Sequence, residues 1–268
     1  MSGEAAAEAG ALREGIAVVT GAGAGLGRAL ALALLRRGVR VAGLGRRAET
    51  LEETGRLAGE GFLPVVADVA DAGEVRAAFE RLDREDRPVT VLVNNAAIHE
   101  RFDFLEAAPE EFMRAVAVNL GGVVNCSHAA LGRMSRTGLG RIVNVATFAD
   151  LGPLPGSSAY SVSKGAARIF TRALLADIAD RFPGIVVTDW VPGALATPMG
   201  LPDGLAPEVS AEWGAELALM HERSLNGAVF DRDAEMLPPR SRKQRLKDLL
   251  LLRPRPVARR VGEAPPAP

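Results

Sequence analysis

The stretch GIAVVTGAGAGLGRALALALLRRGVRVAGL, residues 15–44, decides the fold. GIAVVT (15–20) is a continuous apolar run rich in β-branched residues, as in a strand buried on both faces. A helical pattern follows from Leu26 to Arg37, and VRVAGL (39–44) reads as a second strand. Working outward, the unit repeats: a helix over Ala48–Gly59, a strand at FLPVVA (62–67), a helix from Asp71 to Arg84, and a strand at VTVLVNNA (89–96). A long helical pattern over Pro109–Arg136, a strand at RIVNVA (141–146), a helix over Ser158–Arg181 and a strand at IVVTDWV (185–191) come next. A helix over Pro207–Arg223 leads to a short last strand at GAVFD (227–231). Strand and helix in strict alternation predict a single α/β domain, with a doubly wound, mostly parallel seven-stranded sheet and helices on both faces.

Composition sets the boundaries. An apolar share of 48% supplies a full core for 268 residues. Residues 240–260 carry nine Lys and Arg against Asp248 alone, while the whole chain has a net charge of −1, so the body is acidic. An acidic body argues against nucleic-acid binding. Cys126 is the only cysteine, which excludes an intrachain disulfide, and His99, His128 and His221 make no metal-ligand spacing. The first residues, MSGEAAAEAGALREG, have acids where a signal peptide needs bases, and no apolar run suggests a membrane span. A cytoplasmic protein is expected, divided into a flexible terminus (1–13), a domain over 14–237 and a basic Pro/Arg-rich tail over 238–268.

TGAGAGLGRAL (20–30) joins the first strand to the first helix. Gly21, Gly25 and Gly27 give G-x-x-x-G-x-G, a spacing that turns the chain tightly and lets backbone approach a phosphate at a helix N-terminus. Tyr160 is the only tyrosine, four residues before Lys164 in a helical pattern, so the two share a face. A free phenol ionises near ~10, and a cation about 4 Å away would lower that by roughly one to three units. Tyr160 is then expected to exchange protons near neutral pH.

Taken together, T-G-x-x-x-G-x-G at Thr20–Gly27, NNA at Asn94–Ala96, VNL with Asn119, Y-x-x-x-K at Tyr160–Lys164 and PGALATPM at Pro192–Met199 resemble, in this order, the short-chain dehydrogenase/reductase family. The resemblance covers about residues 14–200 and implies a Rossmann fold that binds a nicotinamide dinucleotide. It implies that Tyr160 is the general acid/base, that Lys164 lowers its pKa and holds the nicotinamide ribose, and that Asn119 interrupts its helix and holds a water in a relay to Lys164. Thr147 stands where the family has a serine that orients the substrate carbonyl, and Ala97 where it has glycine. Gly21, Gly25, Leu26 and Gly27 would hold the phosphates, Asp68 and Val69 the adenine, and Asn95 the cofactor from the fourth strand. Pro192, Gly193 and Thr197 would line the nicotinamide. The family also implies a homodimer or homotetramer.

An acid at the end of the second strand would bind the free ribose hydroxyls of NAD. Here Gly45 occupies that place, followed by Arg46 and Arg47. A guanidinium fits a 2′-phosphate, so NADP(H) is expected over NAD(H), with Arg46 as the main contact. Phe148, Asp150, Leu151, Leu154, His99, Phe102 and residues 194–212 are expected to face the substrate, a small carbonyl or alcohol compound of apolar character. Two alternatives stand beside this NADPH-dependent reductase: a non-catalytic dinucleotide-binding sensor or regulator, and a cofactor-recycling epimerase or dehydratase.

Overall fold

The computed structural model of the chain describes residues 3–237, 251 and 257–262. The first strand, β1 (Ile16–Thr20), lies inside the sheet, with all five residues buried. On one side of β1 lie β2 (Arg40–Gly45) and β3 (Phe62–Val66). On the other lie β4 (Val89–Asn94), β5 (Gly140–Val145), β6 (Ile185–Val191), β7 (Val229–Asp231) and β8 (Ala234–Glu235). The order is β3-β2-β1-β4-β5-β6-β7-β8, and every pair is parallel except β7–β8. The chain leaves β1 in one direction, then returns past it to β4. The C-terminal ends of β1 and β4 therefore flank a topological switch point, where open sheets of this kind bind ligands.

The helices cover both faces. On one, α2 (Gly25–Arg36), α3 (Ala48–Ala58) and α8 (Pro207–Leu219) bury Leu30, Leu34, Leu51, Ala211 and Leu217 against the sheet, around Trp190 of β6. On the other, α4 (Ala72–Leu82), α6 (Gly122–Thr137) and α7 (Ser158–Ile178) bury Val75, Phe79, Cys126, Ala130, Met134 and Ile178. Two apolar layers against one sheet are what the unbroken valine-rich strands required. The expected long helix at 109 onward is α5 (Pro109–Val116), a π-helical turn (Ala117–Gly121) and α6 in one run.

Four expectations need correction. The sheet has eight strands among the described residues, because a two-residue turn at Arg232 and Asp233 folds β8 back on β7, with Arg232 at φ 53°. No glycine or asparagine marks that turn, and β8 is too short to show a pattern. The segment expected to be a flexible terminus forms α1 (Gly3–Glu14), helped by the helix propensity of its alanines. Leu12 is fully buried, and its carbonyl accepts from Thr90 Oγ1 at 2.8 Å. The run Pro109–Thr137 is 29 residues long, and by length and composition apolar enough to cross a bilayer, although none was expected. Here it packs on the sheet through Cys126, Ala130 and Met134. Finally, part of the expected tail belongs to the sheet: Arg260 bridges to Ala234, and the Arg259 guanidinium pairs with Glu235 at 2.7 Å. Apart from 251 and 257–262, the segment 238–268 lies outside the described residues.

Candidate active site

The glycine loop closes over the end of β1. Gly21 and Gly25 have φ of 69° and 51°, the left-handed region that favours glycine. A Cβ on Gly27 would lie 2.1 Å from the Gly21 carbonyl oxygen, so the helix can start this close to the loop only with glycine there. Ala24 precedes α2 as its N-cap and offers no capping side chain, and the first turn holds no acid. Its first N–H groups and its positive dipole end thus have no intramolecular anion, as a phosphate site requires. Leu26 packs into the core, so only its backbone N–H can serve a ligand. These features fit a dinucleotide pyrophosphate.

The loop is braced from two directions. Thr20 Oγ1 accepts from the N–H groups of Asn95 and Ala96, both at 2.9 Å, and Asn95 Nδ2 donates to the Thr20 carbonyl at 2.8 Å. These bonds fasten the ends of β1 and β4 together. Arg28, which sequence reading did not single out, donates to the Gly23 carbonyl at 2.7 Å and pairs with Glu53 at 2.6 Å. Its bond holds the Glu53 carboxyl below the usual range. Thr54 Oγ1 donates to the Ala22 carbonyl at 3.0 Å.

Along the crevice, Arg46 Nη1 stands 3.9 Å from Asp68 Oδ2, with the Arg46 side chain 63% exposed. The Val69 carbonyl accepts from Asn125 Nδ2 at 2.9 Å. Across the glycine loop, Thr197 Cγ2 would lie 3.4 Å from a Cβ on Gly25, so Thr197 overhangs the loop. Gly193 has φ of 88°, and the Pro192 carbonyl accepts from Ser210 Oγ at 2.8 Å. The segment after Thr197 is tied down: Ala196 N donates to Leu205 O at 2.9 Å and Leu205 N to Ala194 O at 2.8 Å.

Tyr160 and Lys164 lie in the first two turns of α7. Asn119, within the π-helical turn, is fully buried; its amide clasps Ile98 N at 2.8 Å and Ile98 O at 3.0 Å, and donates to Ser163 Oγ at 3.0 Å. Ser163 Oγ donates to the Tyr160 carbonyl at 3.0 Å, so the helix interruption is fastened to α7 beside the tyrosine. The His99 ring stacks on Tyr160 with centroids 4.3 Å apart, and its Nε2 is 2.9 Å from Ser157 Oγ. Burial, with help from Arg101, holds the His99 imidazole below its ordinary pKa. Arg168 fixes the Thr147 loop by donating to the Thr147 carbonyl and pairing with the Asp150 carboxylate at 2.9 Å.

One expectation fails in this arrangement. Burial pushes the Tyr160 phenol above its ordinary pKa, and only a hydrogen bond with the Thr147 side chain opposes it. Lys164 directs its ammonium at the Val145 carbonyl, 2.8 Å away, and is not among the groups that shift the phenol. The lysine itself is buried, which lowers its pKa to about 8. Helical spacing put the two residues on one face, but it could not show that the ammonium turns down toward β5.

The family model described as short chain dehydrogenase matches residues 15–204, which span the glycine loop, Asn119 and the Tyr160–Lys164 pair. The chain belongs to the short-chain dehydrogenase family. The chain is 42% identical over 191 residues to 2-(R)-hydroxypropyl-CoM dehydrogenase of Xanthobacter autotrophicus, covering 69% of this chain and 76% of that one. It is 35% identical to the short-chain reductase protein NovJ of Streptomyces niveus, covering 84% of each. Among solved structures, 3-ketoacyl-(acyl-carrier-protein) reductase from Brucella melitensis, complexed with NADH, is 28% identical with a TM-score of 0.75, covering 82% of this chain and 97% of that one. A putative gluconate dehydrogenase from Agrobacterium tumefaciens is also 28% identical, with a TM-score of 0.76, covering 82% of this chain and 94% of the other.

Proposed function

We propose that the chain catalyses NADPH-dependent reduction of a ketone or aldehyde, or the reverse oxidation of an alcohol. The observation that carries this reading is the stacking of Tyr160 on His99 and its tie, through Ser163, to the buried Asn119 of the π-helical turn, in a chain of this family whose glycine loop suits a dinucleotide. NADP(H), when bound, supplies or accepts the hydride. The Thr147 hydroxyl orients the carbonyl oxygen, and Tyr160 donates its proton to that oxygen as the alcohol forms. A phenol kept protonated by burial suits the donor role, because the proton is present at neutral pH. Lys164, once its ammonium turns from the Val145 carbonyl toward the bound cofactor, would stabilise the phenolate left behind. Asn119 keeps α7 in register with the β4 loop through Ser163 and Ile98.

Arg46, exposed at the end of β2 with no acid in the Gly45 position, supports NADP(H) over NAD(H) through a 2′-phosphate contact. Phe148, Leu151 and Leu154 on the loop after Thr147, and Met199 and Leu201 after Thr197, are exposed apolar side chains and support a substrate with an apolar body. Met113, Val124, Val162 and Ile169 leave apolar side chains exposed on α5, α6 and α7, which supports a homodimer or homotetramer built on that face. The test is a panel of ketones, aldehydes and alcohols followed by nicotinamide absorbance, with Tyr160→Phe beside the wild type. Tyr160→Phe should lose turnover and still bind NADPH. A Tyr160→Phe variant that turns over as the wild type does would refute the reading.

A further inference from the structure

Lys164 is 4% exposed, and burying an ammonium against carbonyl groups alone is costly. A cation that serves the site from such a position needs an anion nearby. IVVTDWV, read as an ordinary core strand, contains one. Asp189 of β6 is 3% exposed and accepts from Thr171 Oγ1 at 2.6 Å. Thr171 lies two turns beyond Lys164 on the same side of α7. Its oxygen accepts in turn from Asn144 Nδ2 at 2.9 Å; Asn144 Oδ1 accepts from Asn94 Nδ2 at 2.8 Å; and Asn94 reaches Ser127 Oγ at 3.1 Å. Asn94, Ser127, Asn144 and Thr171 are all buried, so a polar chain crosses from α6 through β4 and β5 to α7 and β6; the Lys164 ammonium bonds the Val145 carbonyl at 2.8 Å, and the residue before it, Asn144, stands opposite Asp189 in the β5–β6 register.

We infer that Asp189 is a positioning residue that acts through Lys164: it is the buried counter-charge that keeps the ammonium protonated under the active site, and the Asn94–Asn144–Thr171 chain holds it there. The inference rests on the functional reading of Lys164 given above. The charged groups that act on Asp189 are Arg168 and Arg172, both from α7, Asp189 in turn acts on Lys164, and β4 and β5 present Asn94 and Asn144. Burial raises the Asp189 carboxyl to about 6, with Thr171, Arg168, Arg172 and Asn144 opposing. Burial lowers Lys164 to about 8, with Asp189 opposing. Both are therefore charged together between about 6 and about 8. Removing the carboxylate removes the influence that raises Lys164, so the ammonium is lost at lower pH.

The chain has three lysines, Lys164, Lys243 and Lys247, so lysine side-chain NMR resolves Lys164 once Lys164→Met identifies its signal. The titration uses full-length protein labelled at the lysine ε-carbon, as wild type, Asp189→Asn and Thr171→Val, with the pH profile of NADPH-dependent turnover measured alongside. In the wild type the Lys164 signal should show its own midpoint near 8 and a smaller inflection near 6 from Asp189. Asp189→Asn should abolish that lower inflection and move the lysine midpoint, and with it the alkaline limb of turnover, down by about one pH unit, a tenfold change in acid constant. Thr171→Val, which removes a donor to the carboxylate, should move the lower inflection upward. A wild-type signal without the lower inflection, or a folded Asp189→Asn with an unmoved lysine midpoint, would overturn the pairing. A lysine midpoint that falls in Asp189→Asn while the wild type turns over no carbonyl would instead leave the pairing standing and sink the reductase reading.

Discussion

Replacing Thr20 by valine tests how the crevice is held open. Thr20 is 2% exposed, and its hydroxyl oxygen takes two backbone N–H groups, those of Asn95 and Ala96, each at 2.9 Å. Valine has nearly the same shape, so the change removes the acceptor without leaving a cavity. Each orphaned N–H costs about 1–3 kcal/mol if water cannot reach it. Asn95 and Ala96 are half-buried, which places both near the lower end, at about 2–3 kcal/mol together. In a domain of this size that corresponds to a Tm lower by roughly 4–12 °C. The same two N–H groups fix the end of β4 beside the glycine loop, so NADPH affinity should also fall, by about tenfold. Thr20→Ser keeps the oxygen and should recover most of both losses. Circular-dichroism melts and NADPH fluorescence titrations read the two effects. A Thr20→Val protein that melts within about 1 °C of wild type and binds NADPH equally well would show that these bonds do not hold the crevice.

Gly27→Ala forces a Cβ to within 2.1 Å of the Gly21 carbonyl and should cost about 1–3 kcal/mol and most NADPH binding, whereas Gly132→Ala, with nothing within 4 Å, should raise Tm by roughly 1–4 °C; unfolding and binding curves for the pair check this. Arg168→Met leaves Asp150 without its partner and frees the Thr147 carbonyl, so it should destabilise by about 3–5 kcal/mol and lower kcat more than it raises the KM for NADPH, as steady-state kinetics and melts will show. His99 has a folded pKa below its unfolded value, so its contribution to stability is present above about 6.5 and is lost as pH falls. Melts between about pH 7.5 and 5.5 should lose less stability in His99→Phe than in wild type.

The alternation of valine-rich strands with helices made the parallel sheet legible, because strands buried on both faces leave no polar alternation. Gly21, Gly25 and Gly27 were legible because backbone of this conformation and closeness admits little else. Asp189 was not: its partners Thr171 and Asn144 stand 18 and 45 residues away, and nothing local to IVVTDWV shows that a carboxylate there is hydrogen-bonded rather than misplaced. Arg28 was missed for a similar reason, since Glu53 and Thr54 meet it only when α3 packs beside α2. The direction of the Lys164 ammonium lay beyond periodicity as well. Spacing fixes which face of a helix a residue occupies, but the side chain's torsions and the carbonyl at Val145 decide where the charge points.

Because Tyr160 is the only tyrosine, the near-ultraviolet absorbance of tyrosinate reports this one side chain in the intact protein. Titrated alone, the phenol should ionise above its ordinary value, as burial requires. With NADP⁺ bound and Lys164 drawn toward the site, its midpoint should fall to below that value. A midpoint at the ordinary value of a free phenol that NADP⁺ leaves unmoved would contradict the assignment of Tyr160 as the acid/base of this protein.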